Sequence, residues 1–269
     1  MPELPDVELY KRDLDATCLG RTIRRVTVSD VRILGDLSAA ELGRRLEGAR
    51  ITASRRHGKH LLVDLGPAGW LTLHFGMNGS LKHFTDGEDD PPYDRLRFDF
   101  EAGHHLAYVN PRLLGRVGLA RGADAFIAGE GLGPDALDAR FDRAVFERSL
   151  AGRKRDLKSL LMDQEVVAGI GNIYSDEILF QARLNPRTRC DRLDAGARQR
   201  LFRQVKEVLE TAIASGAGAE RLVDRLPGSF LIPHRGKRGQ CPRCGGEIEN
   251  AKFSGRTAYF CPRCQPDPA

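Results

Sequence analysis

The stretch Cys241-Pro-Arg-Cys244, sixteen further residues, and then Cys261-Pro-Arg-Cys264 determines how the C-terminal part of this chain folds. Two CxxC pairs at this spacing are typical of a zinc ribbon, in which four thiolates surround one Zn²⁺ ion tetrahedrally. The intervening residues 245–260 are expected to form a hairpin that folds only with the metal. Because four thiolates leave no coordination position for water, the zinc is predicted to be structural, holding Lys252 and Arg256 on a rigid hairpin.

The alternative for these four cysteines is a pair of disulfide bonds. We favour zinc because the N-terminus shows no secretion signal and because CxxC pairs make poor disulfide geometry. The other two cysteines, Cys18 and Cys190, stand alone in the sequence and are expected to be ordinary buried or surface thiols.

The basic residues are unevenly distributed along the 269 residues of the chain. The formal net charge is +5, and residues 232–269 hold seven Lys or Arg but only three acids, so the rest is nearly neutral. This asymmetry is typical of a segment that binds a polyanion, although a solvated tail would show it too. The N-terminus has no targeting pattern and no apolar run approaches bilayer length, so we expect a soluble protein, which would be cytosolic in a bacterium.

The chain before this tail falls into a β-rich part and a helical part. Between about residues 22 and 120, runs of β-forming residues alternate with turn signals, which predicts an antiparallel sandwich or barrel. From about residue 134 the apolar periodicity becomes helical. The predicted strands are 22–28, 50–56, 60–65, 70–75, 94–100 and 105–109, and the predicted helices are 141–150, 155–162, 173–182 and 195–215.

These patterns predict an α+β chain in three parts. An N-terminal antiparallel β-sandwich flanked by helices takes residues 1–133, and a helical domain takes residues 134–231. The zinc ribbon takes residues 232–269. Hydrophobic residues make up 41% of the chain and charged residues 29%, which excludes disordered, collagen-like and coiled-coil chains.

The segment Val166-Val-Ala-Gly-Ile-Gly-Asn172 lies between two predicted helices. Gly169 and Gly171 permit a tight turn, and Asn172 is expected to be the N-cap of the helix that follows. Exposed amides at such a helix N-terminus form an anion site, which would suit a DNA phosphate. A purely structural turn between two helices is the alternative, and it is the more frequent role of such a segment.

The N-terminus offers an unusual nucleophile. Removal of Met1, which the small Pro2 permits, leaves a free secondary amine followed directly by Glu3. A terminal amine is less basic than a lysine, so more of it is unprotonated near neutral pH and able to form an iminium with an aldehyde-like carbon. Glu3 could move protons at the same site. Alternatively, Pro2 and Pro5 simply begin a helix that continues through residues 7–14.

Further motifs occur with these features in one order along the chain. They are Pro2-Glu-Leu-Pro-Asp-Val-Glu8, Arg56-His-Gly-Lys59, His74-Phe-Gly-Met77-Asn-Gly-Ser-Leu81, Asn110-Pro-Arg112, Leu161-Met-Asp-Gln164, Val167-Ala-Gly-Ile-Gly-Asn172-Ile-Tyr and Gly255-Arg256-Thr before the last CxxC. On these residues the sequence resembles the bacterial formamidopyrimidine-DNA glycosylase family over essentially its whole length. The N-terminal Pro-Glu pair and the four-cysteine ribbon are the most specific parts of the resemblance.

The resemblance implies a bifunctional DNA glycosylase and lyase of base excision repair that removes oxidised purines. It implies a β-sandwich, a helix–two-turn–helix DNA-binding domain and a zinc ribbon, with damaged double-stranded DNA in the cleft between the domains. It further implies a monomer associated with the bacterial nucleoid, with one Zn²⁺ ion, no small-molecule cofactor and no membrane partner.

The resemblance also assigns catalytic roles. Pro2 attacks C1′ of the damaged nucleoside, expels the base and forms a Schiff base, with Glu3 as its acid/base partner. Lys59 matches the residue assigned to β-elimination and Arg256 the one assigned to δ-elimination. A cation beside a leaving phosphate would stabilise its developing charge. A solvated lysine at a hairpin tip is the alternative for Lys59.

DNA-contacting residues are implied as well, because the lesion must be extruded before its sugar can be attacked. Met77 matches one side chain that wedges into the base stack, and Leu114 stands at the position of an aromatic wedge. Arg112 matches the arginine that contacts the estranged base, Asn172 a phosphate ligand, and Arg153 a basic DNA contact.

Two departures from the family pattern bear on the preferred lesion. Where the family reads Asp-Pro-Arg-Arg-Phe-Gly, this chain reads Asn110-Pro-Arg-Leu113-Leu114-Gly115, so the loop lacks a cation and a ring that stacks. Residues 224–230 are shorter than the family's loop over a flipped 8-oxoguanine. We therefore predict weakened or altered excision of 8-oxoguanine, with ring-opened purines and abasic sites still processed.

Two other functions fit the same sequence. An endonuclease VIII-like glycosylase for oxidised pyrimidines shares the proline, the lysine and the ribbon. The Pro2-Glu-Leu-Pro start and Arg112 favour the purine branch over it. A non-catalytic protein that binds damaged DNA would keep the scaffold without the reaction.

Overall fold

The computed structural model describes residues 1–218, 222–236, 239–253 and 255–267. The chain divides into an N-terminal unit of residues 1–2 and 6–131 and a C-terminal unit of residues 3–5 and 132–269. Lys237 and Arg238 of the basic tail lie outside the described residues. Among the residues described, no helix has the length and apolar character needed to cross a membrane.

The N-terminal unit contains two antiparallel sheets of four strands, which confirms the predicted sandwich. Its strands are β1 (Ile23–Val28), β2 (Ala53–His57), β3 (His60–Asp64), β4 (Trp70–His74), β5 (Ser80–Thr85), β6 (Asp94–Phe100), β7 (His104–Val109) and β8 (Arg116–Ala120). One sheet has the order β1-β6-β7-β5 and the other the order β2-β3-β4-β8. The helices that accompany them are α1 (Leu4–Cys18), α2 (Ala39–Leu46) and α3 (Ala123–Gly129).

The core of the sandwich follows from the alternation along its strands. In β6 the side chains of Leu96, Phe98 and Phe100 are buried, while the residues between them are half-exposed. They join one apolar cluster with Leu61 and Leu73 of the other sheet. Burying each such side chain contributes about 1.5–3 kcal/mol, so the buried face sets the register of the strand.

The C-terminal unit is helical and ends in a β-hairpin. Its elements are α4 (Arg143–Leu150), α5 (Leu157–Leu161), α6 (Asn172–Ala182), α7 (Ala195–Ala214), β9 (Glu249–Phe253) and β10 (Arg256–Phe260). Helix α7 begins at the N-cap Asp194, whose side chain accepts a hydrogen bond from Ala197 N. Its predicted apolar face, which includes Leu201 and Val205, is buried in the core of this unit. Helix α6 is buried on almost every side.

Two histidines face each other across strands β3 and β4. His60 pairs with His74 in the register, with ring centroids 4.9 Å apart, and the ring of Phe126 meets His60 edge-on. Burial, together with positive charge on neighbouring groups such as Lys59 and Arg116, lowers the pKa of His60 to about 3. Burial also lowers the pKa of His74 to about 4. Both rings therefore stay neutral in the folded protein well into the acid range.

We expect His60→Phe to reduce the acid sensitivity of the N-terminal unit. As pH falls below about 6.5, the unfolded chain protonates these histidines but the folded chain does not, so stability is lost as pH falls towards 4. At pH 5 each histidine costs up to about 2 kcal/mol relative to pH 7. Urea unfolding at pH 7 and pH 5 should show a smaller difference for the variant. An unchanged difference would contradict the neutral state of His60.

Candidate active site

The carboxylate of Glu3 is buried against the N-terminus of helix α6. Its Oε2 accepts hydrogen bonds from the backbone N–H of Gly171 at 2.7 Å and of Tyr174 at 3.2 Å, and its Oε1 accepts one from Ile173 N–H at 2.8 Å. A helix N-terminus carries partial positive charge, which favours an anion there. The anion site predicted at this helix is therefore filled by the chain's own Glu3.

The two glycines before α6 allow this approach. A Cβ on Gly171 would lie 2.4 Å from the carboxyl carbon of Glu3, and one on Gly169 would lie 2.5 Å from a methyl carbon of Leu4. Gly169 also has φ +113°, which is strained for any residue with a side chain. Its carbonyl accepts the N–H of Leu4 at 3.0 Å. The predicted tight turn is therefore present, and its two glycines leave the space that residues 3 and 4 occupy.

The prediction that Asn172 is the N-cap of α6 is wrong. Gly171 occupies the cap position with no side-chain cap bond, and Asn172 is the first helical residue. A capping side chain at position 171 would bind the N–H of Ile173 or Tyr174, and both are already bound by Glu3. The side chain of Asn172 instead donates through Nδ2 to Thr257 O in β10 at 3.1 Å, which joins α6 to the hairpin.

Pro2 is bonded directly to this anchored residue. It is buried, and it follows Met1, so its nitrogen is an amide until Met1 is removed. Glu3 is therefore held firmly by its hydrogen bonds. The neighbouring nitrogen of Pro2 becomes an amine only when Met1 is removed.

A buried ion pair lies behind the start of α6. The Nζ of Lys158 donates to Asn172 O at 2.6 Å, to Ser175 Oγ at 2.7 Å and to Asp176 Oδ1 at 2.6 Å, and the side chains of both ions are fully buried. Burial lowers the pKa of the Lys158 ammonium, and the carboxylate of Asp176 opposes that shift. Such a pair is costly to break, because one charge would remain buried alone.

Asp176 also binds the zinc-ribbon hairpin. Its Oδ2 accepts a hydrogen bond from Tyr259 N–H in β10 at 3.1 Å. The same oxygen forms an ion pair with Arg235, whose Nη2 lies 2.9 Å away. The guanidinium of Arg235 lies over the Tyr259 ring at 4.8 Å from its centroid. Together with Asn172, Asp176 fixes the position of β10 against α6.

The four clustered cysteines are arranged for a tetrahedral metal. The Sγ atoms of Cys241 and Cys264 are 3.8 Å apart, those of Cys244 and Cys261 are 3.6 Å apart, and all four lie within 4.8 Å of one another. Zn–S bonds of about 2.3 Å give tetrahedral S–S edges of about 3.8 Å. The donor set and its spacing therefore fit one structural zinc ion, as predicted.

The pKa shifts of these cysteines also fit a bound metal ion. A hydrogen bond from the backbone N–H of Gly246 lowers the pKa of Cys244 to about 7, whereas burial and the neighbouring sulfurs raise that of Cys264 to about 12. Four thiolates so close together need a cation to coexist. Cys18 and Cys190 are both buried and lie outside the cluster, as expected of ordinary thiols.

Arg256 and Arg153 lie in the C-terminal unit with Glu3 and Asn172. Arg256 begins β10, is exposed, and its Nη1 lies 3.6 Å from Met162 Sδ. Arg256 directly precedes Thr257, whose carbonyl oxygen accepts the hydrogen bond from the Asn172 side chain. Arg153 follows α4, is exposed, and donates through Nε to Ser149 O at 3.0 Å.

Lys59 lies at the tip of the β2–β3 hairpin in the N-terminal unit, as predicted. The turn is closed by His57 and His60, and Gly58 has the positive φ that the turn requires. Lys59 is only 8% exposed, so the alternative of a solvated hairpin lysine is wrong.

Met77 and Leu114, the residues predicted to act as wedges, lie on two loops that the buried Asn110 connects. Asn110 donates through Nδ2 to Phe75 O at 3.2 Å, and its Oδ1 accepts from Leu114 N–H at 3.2 Å. Met77 is 40% exposed and Leu114 is 53% exposed, and Arg112 between the loop ends is exposed too. Large apolar side chains held at loop tips in this way suit insertion into a base stack.

Sequence reasoning did not single out Lys158, Asp176 and Asn110, whose buried contacts hold these segments in place. A signal existed for Lys158, which stands among the leucines of the short helix α5. Asp176 gave a weaker one, because α6 also holds Ser175 and Glu177. Charged residues are rarely buried unless they are paired. Asn110 gave no comparable signal, because its partners come from loops distant in sequence.

The comparisons with known proteins agree along the whole chain. Family models match residues 1–117 as the formamidopyrimidine-DNA glycosylase N-terminal domain, 132–224 as its H2TH domain, and 240–266 as a zinc finger found in FPG and IleRS. The formamidopyrimidine-DNA glycosylase of Laribacter hongkongensis is 38% identical over 98% of this chain and 100% of the relative.

Solved structures are similar over the same extent. The Lactococcus lactis enzyme in complex with DNA containing FAPY-dG has a TM-score of 0.88 and 29% identity, covering 98% of this chain and 100% of that one. The same enzyme bound non-covalently to DNA containing an AP site has a TM-score of 0.87 and 28% identity, with the same coverage. The chain therefore belongs to the formamidopyrimidine-DNA glycosylase family.

Proposed function

We propose that this DNA glycosylase of base excision repair is bifunctional, removing damaged bases from double-stranded DNA and then cleaving the strand as a lyase. It removes oxidised purines: ring-opened purines and abasic sites are processed, and its excision of 8-oxoguanine is weakened or altered. A DNA partner is supported by the two related structures with damaged DNA. The protein acts as a monomer in the bacterial cytoplasm, associated with the nucleoid, and needs no small-molecule cofactor.

The observation that carries this proposal is the anchored carboxylate of Glu3. Three backbone N–H groups at the start of α6 hold it, and the neighbouring Pro2 becomes an amine once Met1 is removed. Because residues 2 and 3 share a peptide bond, the anchor restrains the nucleophile and keeps an acid/base group next to it.

In the proposed reaction the nitrogen of Pro2 attacks C1′ as the bond from C1′ to the base breaks. The base leaves with a proton, the nitrogen loses its own proton, and O4′ is protonated as the sugar opens. The resulting iminium draws electrons from the C2′–H bond, so a proton and the 3′-phosphate leave in β-elimination. A second elimination releases the 5′-phosphate, and water then hydrolyses the iminium and restores the amine.

The cations of the proposal assist the two eliminations. Lys59 acts in β-elimination and Arg256 in δ-elimination, each by stabilising charge on a leaving phosphate. The zinc ion holds the hairpin that carries Arg256. The proposed DNA contacts are Met77, Arg112, Leu114, Arg153 and Asn172.

We divide the chain accordingly into three functional parts. Residues 1–133 form the catalytic β-sandwich domain, 134–231 the helix–two-turn–helix DNA-binding domain, and 232–269 the zinc ribbon. The ranges matched by the three family models support this division.

Single-turnover kinetics on four duplexes test this function. The duplexes carry formamidopyrimidine, 8-oxoguanine opposite cytosine, an oxidised pyrimidine, or an abasic site. We expect the ring-opened purine and the abasic site to be processed, and 8-oxoguanine to be excised at least about tenfold more slowly, because Leu114 lacks a ring and residues 224–230 are short.

Three other outcomes of this experiment would contradict part of the proposed function. Efficient excision of 8-oxoguanine opposite cytosine would contradict the proposed lesion preference. Fastest excision of the oxidised pyrimidine would favour the endonuclease VIII-like alternative. Binding without product on any duplex would leave only a protein that recognises damaged DNA.

A further inference from the structure

Three exposed apolar side chains lie on three loops of the N-terminal unit. They are Met77, Tyr93 and Leu114, which we call the three-loop surface, and Tyr93 is the most exposed of them at 57%. Met77 and Leu114 already have proposed wedge roles, whereas Tyr93 has none. An aromatic ring left in water beside two wedge loops therefore requires an explanation.

Asn110 joins the three loops into one rigid surface. Its side chain binds Phe75 O on the Met77 loop and Leu114 N–H on its own loop. Its backbone N–H donates to Tyr93 O at 3.1 Å, and its carbonyl accepts from Arg95 Nε at 3.1 Å. Asn110 is fully buried, so the spacing of the three tips is set by the interior of the unit.

The backbone at Tyr93 is strained to keep the ring outside. Its φ is 64°, a left-handed conformation that is costly for a bulky residue. Hydrogen bonding to Asn110 maintains that conformation. The guanidinium of Arg95 lies over the ring at 5.6 Å from its centroid, so the exposed aromatic carries a cation beside it.

An exposed ring next to a cation suits a nucleobase attached to phosphates. Bases stack on aromatic side chains whatever their identity, and Arg supports such stacking. The wedge loop of this chain offers no ring, because Leu113 and Leu114 occupy the positions where a cation and a ring would stand. The neighbouring loop supplies both kinds of group, as Arg95 and Tyr93.

We infer that Tyr93 stacks on a nucleobase exposed when the lesion is extruded, and that it provides the stacking contact that Leu114 cannot make. This inference rests on the proposed function and extends it by one specificity-determining residue. It predicts that the ring contributes to binding of distorted duplexes and contributes little to binding of intact ones.

The test compares Tyr93→Leu and Tyr93→Phe in the full-length zinc-loaded protein. Affinity is measured by fluorescence anisotropy for a duplex with a tetrahydrofuran abasic analogue and for the matched intact duplex. We expect Tyr93→Leu to weaken lesion binding about tenfold, with intact-duplex binding within about twofold. Tyr93→Phe should stay close to the parent protein, because it keeps the ring.

A relocated ring provides the sharpest control. Adding Leu114→Phe to Tyr93→Leu should restore most of the lost lesion affinity. Leu19→Ala removes a different exposed apolar side chain and should change lesion affinity less than about twofold. Thermal unfolding of each variant verifies that the N-terminal unit stays folded.

The inference is overturned if Tyr93→Leu binds the abasic duplex as tightly as the parent, or if Tyr93→Phe is as weak as Tyr93→Leu. Equal loss on intact and abasic duplexes would overturn it too, by indicating a general contact. Cleavage by the parent with no effect of Tyr93→Leu defeats this inference alone. Lesion binding without cleavage by the parent defeats the proposed lyase function alone.

Discussion

Replacing Pro2 by glycine is expected to slow both base excision and strand cleavage at an abasic site by about 100-fold or more. Glycine still permits removal of Met1, so the variant keeps a terminal amine. That amine is primary and forms an imine that is cationic only when protonated, whereas the iminium of proline is cationic at every pH. The measurement is single-turnover product formation on formamidopyrimidine and abasic duplexes.

Pro5→Ala is the matched control for this variant. Pro5 lies in the first turn of α1 and has no proposed part in the chemistry, so we expect rates within about twofold of the parent protein. Mass spectrometry of the intact proteins verifies that Met1 is absent in all three. Undiminished cleavage by Pro2→Gly would contradict the proposal that Pro2 is the nucleophile.

Replacing Cys261 by serine is expected to weaken binding of an abasic duplex by about 100-fold or more. Cys261 is fully buried and takes part in both the thiol cluster and a small apolar core with Phe180 of α6. Loss of one thiolate removes most of the metal affinity, and the folding energy of such a ribbon comes largely from the metal. The hairpin that carries Arg256 then loses its fixed position.

Cys190→Ser is the control for the zinc variant. Cys190 is buried outside the cluster, and its Sγ lies 3.0 Å from Arg155 O, an acceptor that a serine hydroxyl can also bind. We expect one zinc per chain and near-parental DNA affinity for it, and less than one zinc for Cys261→Ser. Full DNA affinity in a zinc-free Cys261→Ser protein would show that the ribbon does not hold DNA.

Those features that depend on short-range spacing could be predicted from the sequence. The spacing of the two CxxC pairs is enough to indicate a four-thiolate metal site. The apolar face of α7 can be predicted because its residues repeat at helical spacing within one helix. The strands β5 and β8 were not predicted, because β5 mixes polar and apolar residues and β8 contains a glycine. They form because β7 and β4 offer edges with which to pair.

The contacts that build the candidate site could not be predicted in this way. Glu3 and Gly171 are 168 positions apart, and nothing in either segment indicates that a carboxylate fills the helix end. The same contact makes the predicted cap role of Asn172 unnecessary and leaves its side chain for Thr257. Sequence reasoning named candidate residues and missed their partners, because the partners arise only from the fold.

We propose that the nitrogen of residue 2 becomes covalently bonded to a deoxyribose, and the rest of the mechanism depends on that bond. The most direct measurement is borohydride reduction of the protein on an abasic duplex, followed by proteolysis and mass spectrometry of the cross-linked peptide. We expect the adduct to map to the N-terminal peptide beginning at Pro2, with Met1 absent. An adduct on Lys59 or another lysine, or no adduct despite strand cleavage, would contradict it.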